Sequence, residues 1–256
     1  MKSLLKSIFR RLTTGTPQDE TLTDKYLKRP QDGVFENYHK VLQYFTPKSY
    51  LDIGVCKGWS IPFVKFRKLP MLEKMEMIEA CRFHEVELKQ LSHELKIPYH
   101  IEVLSDSVRE VTFFLDGKGQ QSTGPGNSYL LEDTPHYNNR TPRETRITNT
   151  LDNLYGDNVV FDLIKMDTQG SELDIIKGGL KLIRRASGLI LEENIHRFNF
   201  NAPLHDEIRQ YLEGIGFTLV EILDSKNYSI QNSQGETVPH HEIDTLYIRK
   251  DLIAKP

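Results

Sequence analysis

The sequence predicts an α/β fold in which a doubly wound, mostly parallel sheet is covered by helices. Strand-like and helix-like segments alternate from residue 34 onward, which is typical of parallel strands joined by crossover helices. Two apolar strands, at residues 49–53 and 161–166, each lead into a glycine-containing turn before a helix. Such turns form the mouth of a doubly wound sheet, where small molecules bind at the carboxyl ends of the strands.

The individual strands are predicted from short apolar runs bounded by turn-forming residues. In chain order they cover residues 49–53, 76–80, 99–104, 111–115, 161–166, 189–192, 217–223 and 245–249. The helices are predicted from apolar residues at helical spacing, of which Leu88, Leu91 and Leu95 are the clearest example. They cover residues 34–45, 60–68, 83–95, 173–183 and 205–214.

Composition narrows the possible classes of protein. The 256 residues are 38% hydrophobic, which supports a packed core and argues against intrinsic disorder. The formal net charge of −3 provides no basic field, so we expect no nucleic-acid partner. The two cysteines, Cys56 and Cys81, do not make a disulfide framework, and we expect reduced thiols and a cytoplasmic location. The apolar runs fall far short of the roughly 18 residues that a membrane span needs.

Two segments are expected outside the main α/β arrangement. Residues 1–32 are predicted to be an N-terminal basic amphipathic segment and a polar linker, ahead of one domain at residues 33–256. Residues 1–12 place basic and apolar side chains on opposite faces of a helix. This helix either makes peripheral contact with an anionic membrane surface or packs on its own domain. Residues 116–145 are predicted to form a mobile loop on the substrate side.

The turn after the first strand indicates which cofactor binds there. Asp52, Gly54 and Gly58 follow the spacing D-x-G-x-x-x-G, which is one residue wider than the G-x-G-x-x-G turn of dinucleotide sites. A carboxylate at this turn suits a ligand with positive charge and no phosphate. S-adenosylmethionine (SAM), with its sulfonium and ammonium groups, fits that description. We therefore expect a SAM site that includes these three residues together with Lys57 and Trp59.

The next two strand ends carry polar side chains at the same edge of the sheet. Glu79, followed by Ala80, closes the second strand, where a carboxylate can accept both hydroxyls of a ribose. Ser105 and Asp106 follow the third strand, where a polar pair can meet the edge of an adenine. The alternatives are a solvated charge for Glu79 and a turn or helix cap for Asp106. We assign all four residues to the cofactor site.

The strand at residues 161–166 leads into the most informative motif. Lys165 and Asp167 are two residues apart, so their side chains share one face of the strand. Asp167 stands at the mouth where the cofactor is expected, and we assign it to both the cofactor-binding and the catalytic residues. Lys165 is a second catalytic candidate, provided that burial depresses its pKa.

One stretch closely resembles the signature of the FkbM family of SAM-dependent methyltransferases. It runs Leu163-Ile164-Lys165-Met166-Asp167-Thr168-Gln169-Gly170-Ser171-Glu172-Leu173 and continues as Ile176-Lys177-Gly178-Gly179. The resemblance implies a class I methyltransferase fold, Rossmann-like, with a seven-stranded sheet whose last strand is antiparallel. It also implies methyl transfer to hydroxyl oxygens, commonly of sugars in surface glycans or of secondary metabolites. Many members have Glu where this chain has Gln169, so one negative charge of the motif is missing here.

A hydroxyl oxygen needs a base or a metal to help it attack a sulfonium methyl group. Asp167, Glu193 and Asn194 offer oxygen ligands for Mg²⁺ after two neighbouring strands, which resembles the site of metal-dependent O-methyltransferases. His196 is the alternative, a base that titrates near neutral pH. The simpler interpretations are a solvated strand-end charge for Glu193 and a loop histidine for His196.

The predicted loop at residues 116–145 carries amides, hydroxyls and rings that suit sugar hydroxyls. The candidate substrate-binding residues are Gln121, Ser122, Asn127, Ser128, His136 and Tyr137. A disordered surface loop is the alternative interpretation.

The predicted function is that of a SAM-dependent O-methyltransferase for a small-molecule or glycan acceptor, with a sugar hydroxyl as the first choice. Two alternatives stay open. One is a methyltransferase for a lipid, a peptide or a small metabolite. The other is a non-catalytic nucleotide-binding module in glycan assembly.

Overall fold

A computed structural model describes residues 20–29, 33–115, 126–137 and 141–253. The strands in this part of the chain are β1 (Ser49–Ile53), β2 (Lys74–Glu79), β3 (Tyr99–Ile101), β4 (Val103–Leu104), β5 (Glu110–Phe114), β6 (Arg143–Asn149), β7 (Leu163–Met166), β8 (Gly188–Asn194), β9 (Phe217–Gln231) and β10 (Thr237–Arg249). The helices are α1 (Leu22–Leu27), α2 (Gly33–Glu36), α3 (Ile61–Phe63), α4 (Glu85–Leu95), α5 (Leu151–Tyr155), α6 (Glu172–Gly178), α7 (Leu180–Ile183) and α8 (His205–Gly214). The predicted amphipathic segment at residues 1–12 lies outside the described residues, as do Gln121 and Ser122.

Seven of the strands form one sheet in the order β3-β2-β1-β7-β8-β10-β9. Strand β1 pairs in parallel with both β2 and β7, and β7 pairs in parallel with β8. The last strand, β10, runs antiparallel to its neighbours β8 and β9. The predicted doubly wound, mostly parallel seven-stranded sheet with an antiparallel last strand is therefore confirmed. The order changes direction between β1 and β7, which is where sheets of this kind bind ligands.

Each face of this sheet packs against its own hydrophobic core, because side chains alternate along a strand. Tyr50 and Leu163 belong to one core, and Leu51 and Ile164 belong to the other. All four side chains are fully buried. Removing this apolar surface from water is the main stabilising contribution to the fold. The packed sheet also fixes the strand ends relative to one another, and so it positions the polar residues that follow them.

A second sheet has three strands in the order β4-β6-β5. Strand β6 overlaps the end of the predicted loop at residues 116–145, so that part of the loop prediction is corrected. The strand has one strongly apolar side chain, Ile147, and that side chain is 58% exposed. It is held by antiparallel backbone pairing with β5 and not by an apolar face. Hydrophobic periodicity cannot detect a strand of this kind.

Part of the predicted N-terminal linker is a helix that packs on the domain. The backbone N–H groups of Leu22 and Thr23, at the start of α1, donate to the Glu94 carboxylate on α4 at 3.0 and 2.8 Å. Leu22 and Tyr26 are buried against the core. Because these contacts fix α1 in place, the linker prediction is corrected for residues 22–27. The predicted helix at residues 34–45 is also shorter than expected, since α2 is followed by a 3₁₀-helix at Tyr38–Gln43.

The last two strands extend far beyond their predicted ends. Strands β9 and β10 form a hairpin with 15 and 13 residues, where the apolar runs predict only residues 217–223 and 245–249. The register sets Asp244 opposite Glu192 and Glu242 opposite Asn194. The extension therefore carries charged side chains to the carboxyl end of β8. No helix in the described parts of the chain is long and apolar enough to cross a membrane.

Candidate active site

A cavity of about 680 Å³ opens where the turns after β1, β2, β7 and β8 meet. We call one side of it the β1–β2 half, which is lined by Ile53, Gly54, Ile78, Glu79 and Leu104. We call the other side the β8–β10 half, which is lined by Glu192, Lys226, His240, Glu242 and Asp244. Asp167, which follows β7, lies between the two halves because β7 lies between β1 and β8 in the sheet.

The turn after β1 lies directly against the turn after β7. Gly54 has a φ of +78°, and a Cβ atom there would come within 1.8 Å of the Asp167 carbonyl oxygen. Only glycine accommodates both this backbone conformation and this close approach. The Gly54 backbone lines the cavity, so a ligand can lie on the turn without meeting a side chain. This arrangement fits the predicted SAM site.

Glu79 is held at the end of β2 by two backbone donors. The N–H groups of Cys56 and Cys81 each donate to its carboxylate at 2.7 Å. Burial raises the pKa of Glu79 to about 7. Each carboxylate oxygen keeps a second lone pair, and two such acceptors match the two hydroxyls of a ribose. The structure places Glu79 and the adjacent Ala80 in the cavity wall, where ribose binding stays a prediction.

Ser105 and Asp106 do not reach the cavity wall. Asp106 forms an ion pair with Arg109, and its side chain is 41% exposed. The Ser105 hydroxyl is buried 3.3 Å from the Tyr129 hydroxyl. The prediction that this pair meets an adenine is therefore corrected, and a local turn contact explains Asp106. The residues of this stretch that do line the cavity are Glu102, Val103 and Leu104.

Of the three residues predicted just after Gly54, Trp59 alone lines the cavity. Gly58 faces α4, because a Cβ atom there would lie 2.7 Å from a methyl carbon of Leu91. This glycine therefore serves helix packing. Lys57 forms an ion pair with Glu87 at 3.7 Å. The predictions that Lys57 and Gly58 contact the cofactor are corrected accordingly.

Asp52 lies beneath the cavity and does not line it. Its carboxylate accepts a hydrogen bond from the Tyr50 hydroxyl at 3.0 Å and lies 3.5 Å from Lys165 Nζ. Lys165 Nζ also donates to the Asp167 carboxylate at 3.1 Å. Asp52 and Lys165 are 0% and 5% exposed. The prediction that Asp52 touches the cofactor is corrected: it holds a buried lysine, which in turn holds Asp167.

Lys165 is not suited to act as a base. Burial alone lowers its pKa, but the carboxylates of Asp167 and Asp52 more than reverse this and raise the pKa well above its usual value. The prediction of a depressed pKa is therefore wrong. The lysine stays protonated and compensates the buried negative charge on either side of it.

A neutral amide links two carboxylates in the middle of the cavity. Gln169 Nε2 donates to Asp167 and to Glu192, at 3.2 Å in each case. The glutamate that the family signature often has at this position could not donate to either of them. The amide therefore fits this site better than a third carboxylate would.

Four polar residues of the β8–β10 half lie in the parts of β9 and β10 that extend beyond the predicted strands. The apolar runs did not predict them. They are Lys226, His240, Glu242 and Asp244. Lys226 Nζ and His240 Nε2 lie 2.8 and 3.2 Å from the Glu242 carboxylate. A usable signal was present, since His240, Glu242 and Asp244 are spaced two apart, the period that sets side chains on one face of a strand.

The predicted Mg²⁺ ligands do not come together. Glu193 points away from the cavity, where it accepts a hydrogen bond from the Tyr247 hydroxyl at 3.0 Å and pairs with His205. Asn194 and His196 lie outside the cavity wall. Among the described residues, no group of three or more His, Cys, Asp or Glu is placed to hold a metal. The prediction that Asp167, Glu193 and Asn194 bind Mg²⁺ is therefore corrected. The prediction that His196 is the catalytic base is corrected as well. Successive side chains of a strand point to opposite faces, and it is Glu192, not the predicted Glu193, that faces the cavity.

The described part of the predicted substrate loop, residues 126–137, does lie at the cavity. Asn127, Ser128, His136 and Tyr137 are all in its wall. The Ser128 hydroxyl donates to the Gln169 carbonyl at 3.1 Å, which ties this segment to the turn after β7. Contact with a substrate stays a prediction for these four residues.

This chain is similar to three solved structures at low sequence identity. Methyltransferase FkbM from Methylobacillus flagellatus KT is 16% identical with a TM-score of 0.48, over 89% of this chain and 58% of that one. TehB from Haemophilus influenzae is 9% identical with a TM-score of 0.49, over 90% of this chain and 66% of that one. Precorrin-6y C5,15-methyltransferase from Geobacter metallireducens GS-15 is 11% identical with a TM-score of 0.44, over 93% of this chain and 94% of that one.

Sequence comparison gives the stronger result. A search of curated proteins gave no significant match. The model of the methyltransferase FkbM domain, however, matches residues 52–219, which is well over half of the 256 residues. The matched range includes the Gly54 turn, Glu79 and the whole motif after β7. The chain therefore belongs to the FkbM methyltransferase family.

Proposed function

We propose that this protein transfers a methyl group from SAM to a hydroxyl oxygen of a sugar, in a surface glycan or a glycosylated metabolite. The observation that carries the proposal is the position of Asp167. Its carboxylate lies between a half that fits SAM and a half rich in hydrogen-bond acceptors. Methyl transfer to a hydroxyl group needs a proton acceptor at that border.

The β1–β2 half supplies the contacts that SAM needs. When bound, SAM supplies an electrophilic methyl group. Gly54 permits close approach to the backbone, and Glu79 offers two acceptor oxygens for a ribose. Ile78 and Leu104 add apolar surface suited to an adenine ring. The fit rests on these groups together and not on any one of them.

The β8–β10 half supports a polyhydroxylated acceptor. Glu192 and Asp244 present carboxylate oxygens that can accept hydrogen bonds from hydroxyl groups. The rings of Phe198 and Tyr228 line the same region and offer flat apolar surfaces for a sugar ring. A few placed polar groups beside aromatic surface are what binding sites for small polar molecules require.

Asp167 is the proposed proton acceptor for the acceptor hydroxyl. Lys165 and Gln169 both donate to its carboxylate, at 3.1 and 3.2 Å, and so hold it in one orientation. As the bond from the acceptor oxygen to the methyl carbon forms and the bond from that carbon to sulfur breaks, the hydroxyl proton would move to Asp167, and S-adenosylhomocysteine would be the leaving group. Lys165 remains protonated throughout and balances the charge of Asp52 below.

The test combines binding with turnover on the full chain. Calorimetric titration with SAM and S-adenosylhomocysteine measures cofactor binding, and release of S-adenosylhomocysteine measures transfer to a panel of sugars, lipids and peptides. We expect both nucleosides to bind, sugars to be methylated, and EDTA to leave the rate unchanged, because the predicted Mg²⁺ ligands are apart. Nucleoside binding without transfer to any acceptor would instead support a non-catalytic module.

A further inference from the structure

The β8–β10 half has more negative than positive charge. Together with the adjoining β7 positions, its wall contains the carboxylates and ammonium groups of Asp167, Glu192, Glu242, Asp244, Lys165 and Lys226. Lys165 is engaged by Asp52 and Asp167, and Lys226 is engaged by Glu242 at 2.8 Å. Among the described residues, neither lysine forms an ion pair with the two remaining carboxylates.

Those two carboxylates, Glu192 and Asp244, face one another, and Lys165 and Lys226 act on them from a distance without pairing with either. They are directly opposite in the β8–β10 register, where like charges destabilise a sheet. Asp244 is 5% exposed and lines the cavity, and its carboxylate has no hydrogen bond or ion pair with any residue that the structure describes. Glu192 accepts from the neutral Gln169 amide. A buried, unpaired carboxylate is unfavourable, and a ligand that brings a positive charge relieves this.

Aromatic rings line the same region. The centroid of the His240 ring lies 4.4 Å from that of Phe198 and 4.8 Å from that of Tyr228. All three residues are in the cavity wall, and Tyr228 is 47% exposed. The faces of aromatic rings attract ammonium groups. Carboxylates and rings thus combine into a site with the chemistry of ammonium recognition.

We propose that the β8–β10 half selects an acceptor that carries a protonated amine, as an amino sugar does, and that Glu192 and Asp244 receive its ammonium group. This inference rests on the proposed function, which makes this half the acceptor site. An ammonium group has three donors, so it can serve both carboxylates at once. A neutral sugar brings no positive charge to them, and a uronic acid adds a further negative charge.

The pKa values of Glu192 and Asp244 agree with this geometry. Burial and the Asp167 carboxylate raise the pKa of Asp244 to about 7 and raise the pKa of Glu192 well above its usual value. Near neutral pH the pair is therefore partly protonated, and an ammonium ligand displaces that proton. The titratable and charged groups that interact with this pair are Tyr38, Lys165, Asp167, Asp224, Lys226, Tyr228 and Glu242.

The test compares three probes that differ in one group: glucosamine, glucose and glucuronic acid. Each is titrated into the full chain, with and without S-adenosylhomocysteine, and followed by ligand-observed NMR. We expect glucosamine to bind about tenfold or more tightly than glucose, because hydrogen bonds to charged groups are the stronger ones. Glucuronic acid should bind most weakly. Equal affinity for glucosamine and glucose, or no glucosamine binding in the millimolar range, overturns the inference.

Asp244→Asn tests the assigned residue, with Asp224→Asn as its matched control. Asp224 is directly opposite Asp244 on β9 but does not line the cavity. We expect Asp244→Asn to abolish the preference for glucosamine and to keep S-adenosylhomocysteine binding, and Asp224→Asn to change neither. Glu192→Gln is the second variant, in case Asp244→Asn does not fold, and it should show the same loss.

The outcomes separate this inference from the proposed function. A wild-type protein that binds S-adenosylhomocysteine and methylates sugars without preferring glucosamine keeps its proposed function and overturns the inference. Folded Asp244→Asn and Glu192→Gln variants that both retain the preference also overturn it. A wild-type protein that binds no S-adenosylhomocysteine overturns the proposed function and the inference together.

Discussion

Glu79 and Asp167 have separate tasks in the cavity. Glu79 is fixed by the Cys56 and Cys81 N–H groups in the β1–β2 half. Asp167 is fixed by Lys165 and Gln169 at the border with the β8–β10 half. Because the two carboxylates belong to different parts of the site, single substitutions should separate binding from turnover.

Glu79→Gln should weaken SAM binding. The change replaces one acceptor oxygen with a donor, so we expect the affinity to fall about tenfold or more. Asp106→Asn is the control, since Asp106 pairs with Arg109 outside the cavity and its loss should leave the affinity unchanged. Calorimetric titration of each variant with SAM measures both effects. If Asp106→Asn lowers the affinity for SAM and Glu79→Gln does not, the result would support the predicted contact between Asp106 and the adenine instead.

Asp167→Asn should slow turnover while leaving nucleoside binding within a few-fold of the wild type. A positioned acid or base contributes about 10²–10⁴ in rate, and kcat should fall by a factor in that range. His196→Asn is the control, because His196 lies outside the cavity wall and kcat should not change. Steady-state kinetics with one sugar that the wild type methylates measures kcat for both variants. A large loss for His196→Asn alone would contradict the assignment of Asp167.

At the level of elements, the site depends on how closely the turns after β1 and β7 approach. Gly54→Ala should destabilise the fold by roughly 3 kcal/mol or more, because it combines a positive φ with a Cβ atom 1.8 Å from the Asp167 carbonyl. Gly214→Ala is the control, since a Cβ atom there meets nothing within 4 Å and the change should be neutral or stabilising by up to about 1 kcal/mol. Urea denaturation measures both free energies of unfolding. Equal stability of the two variants would show that the close approach is absent.

Elements with a strong hydrophobic period were predictable, and elements held by other forces were not. The predicted ranges 49–53 and 205–214 agree with the observed bounds of β1 and α8. Both segments have a clear apolar pattern and clear ends, which is why they could be predicted. Strand β6 and the outer half of the β9–β10 hairpin are polar and are held by backbone pairing. Short apolar runs therefore underestimate the hairpin, and with it the residues that complete the cavity.

For the molecule as a whole, buried carboxyl groups control how stability varies with pH. Burial raises the pKa of Glu79 and of Glu172 to about 7, from ordinary values of 4.5. The folded protein therefore holds protons that the unfolded chain releases between these values. The free energy of unfolding should fall as pH rises through this window, by up to about 1.4 kcal/mol per pH unit for each group.

Thermal unfolding between pH 5 and pH 8 measures this effect. We expect Tm to fall as pH rises, and Glu172→Gln to flatten the dependence because it removes one of the titrating groups. The Glu172 carboxylate accepts from the Thr168 backbone N–H at 2.8 Å, and the amide oxygen of Gln can keep that contact. A Tm that rises across this range would show that these carboxyl groups are not buried as described.

The two halves of the cavity differed in how far the sequence could predict them. The β1–β2 half follows from local motifs at Gly54 and Glu79, and its border follows from the motif at Asp167, each at the end of its own strand. The β8–β10 half depends on the register between distant strands, which sets Asp244 opposite Glu192. Register also decides which of Glu192 and Glu193 faces the cavity, and a local motif leaves that choice open.

A crystal structure of the chain with S-adenosylhomocysteine tests the central claim most directly. We expect the ribose hydroxyls on the Glu79 carboxylate, the amino-acid part over the Gly54 turn, and the sulfur facing Asp167. Density for the nucleoside at any other place, or none at saturating concentration, would contradict the assignment of this cavity to methyl transfer.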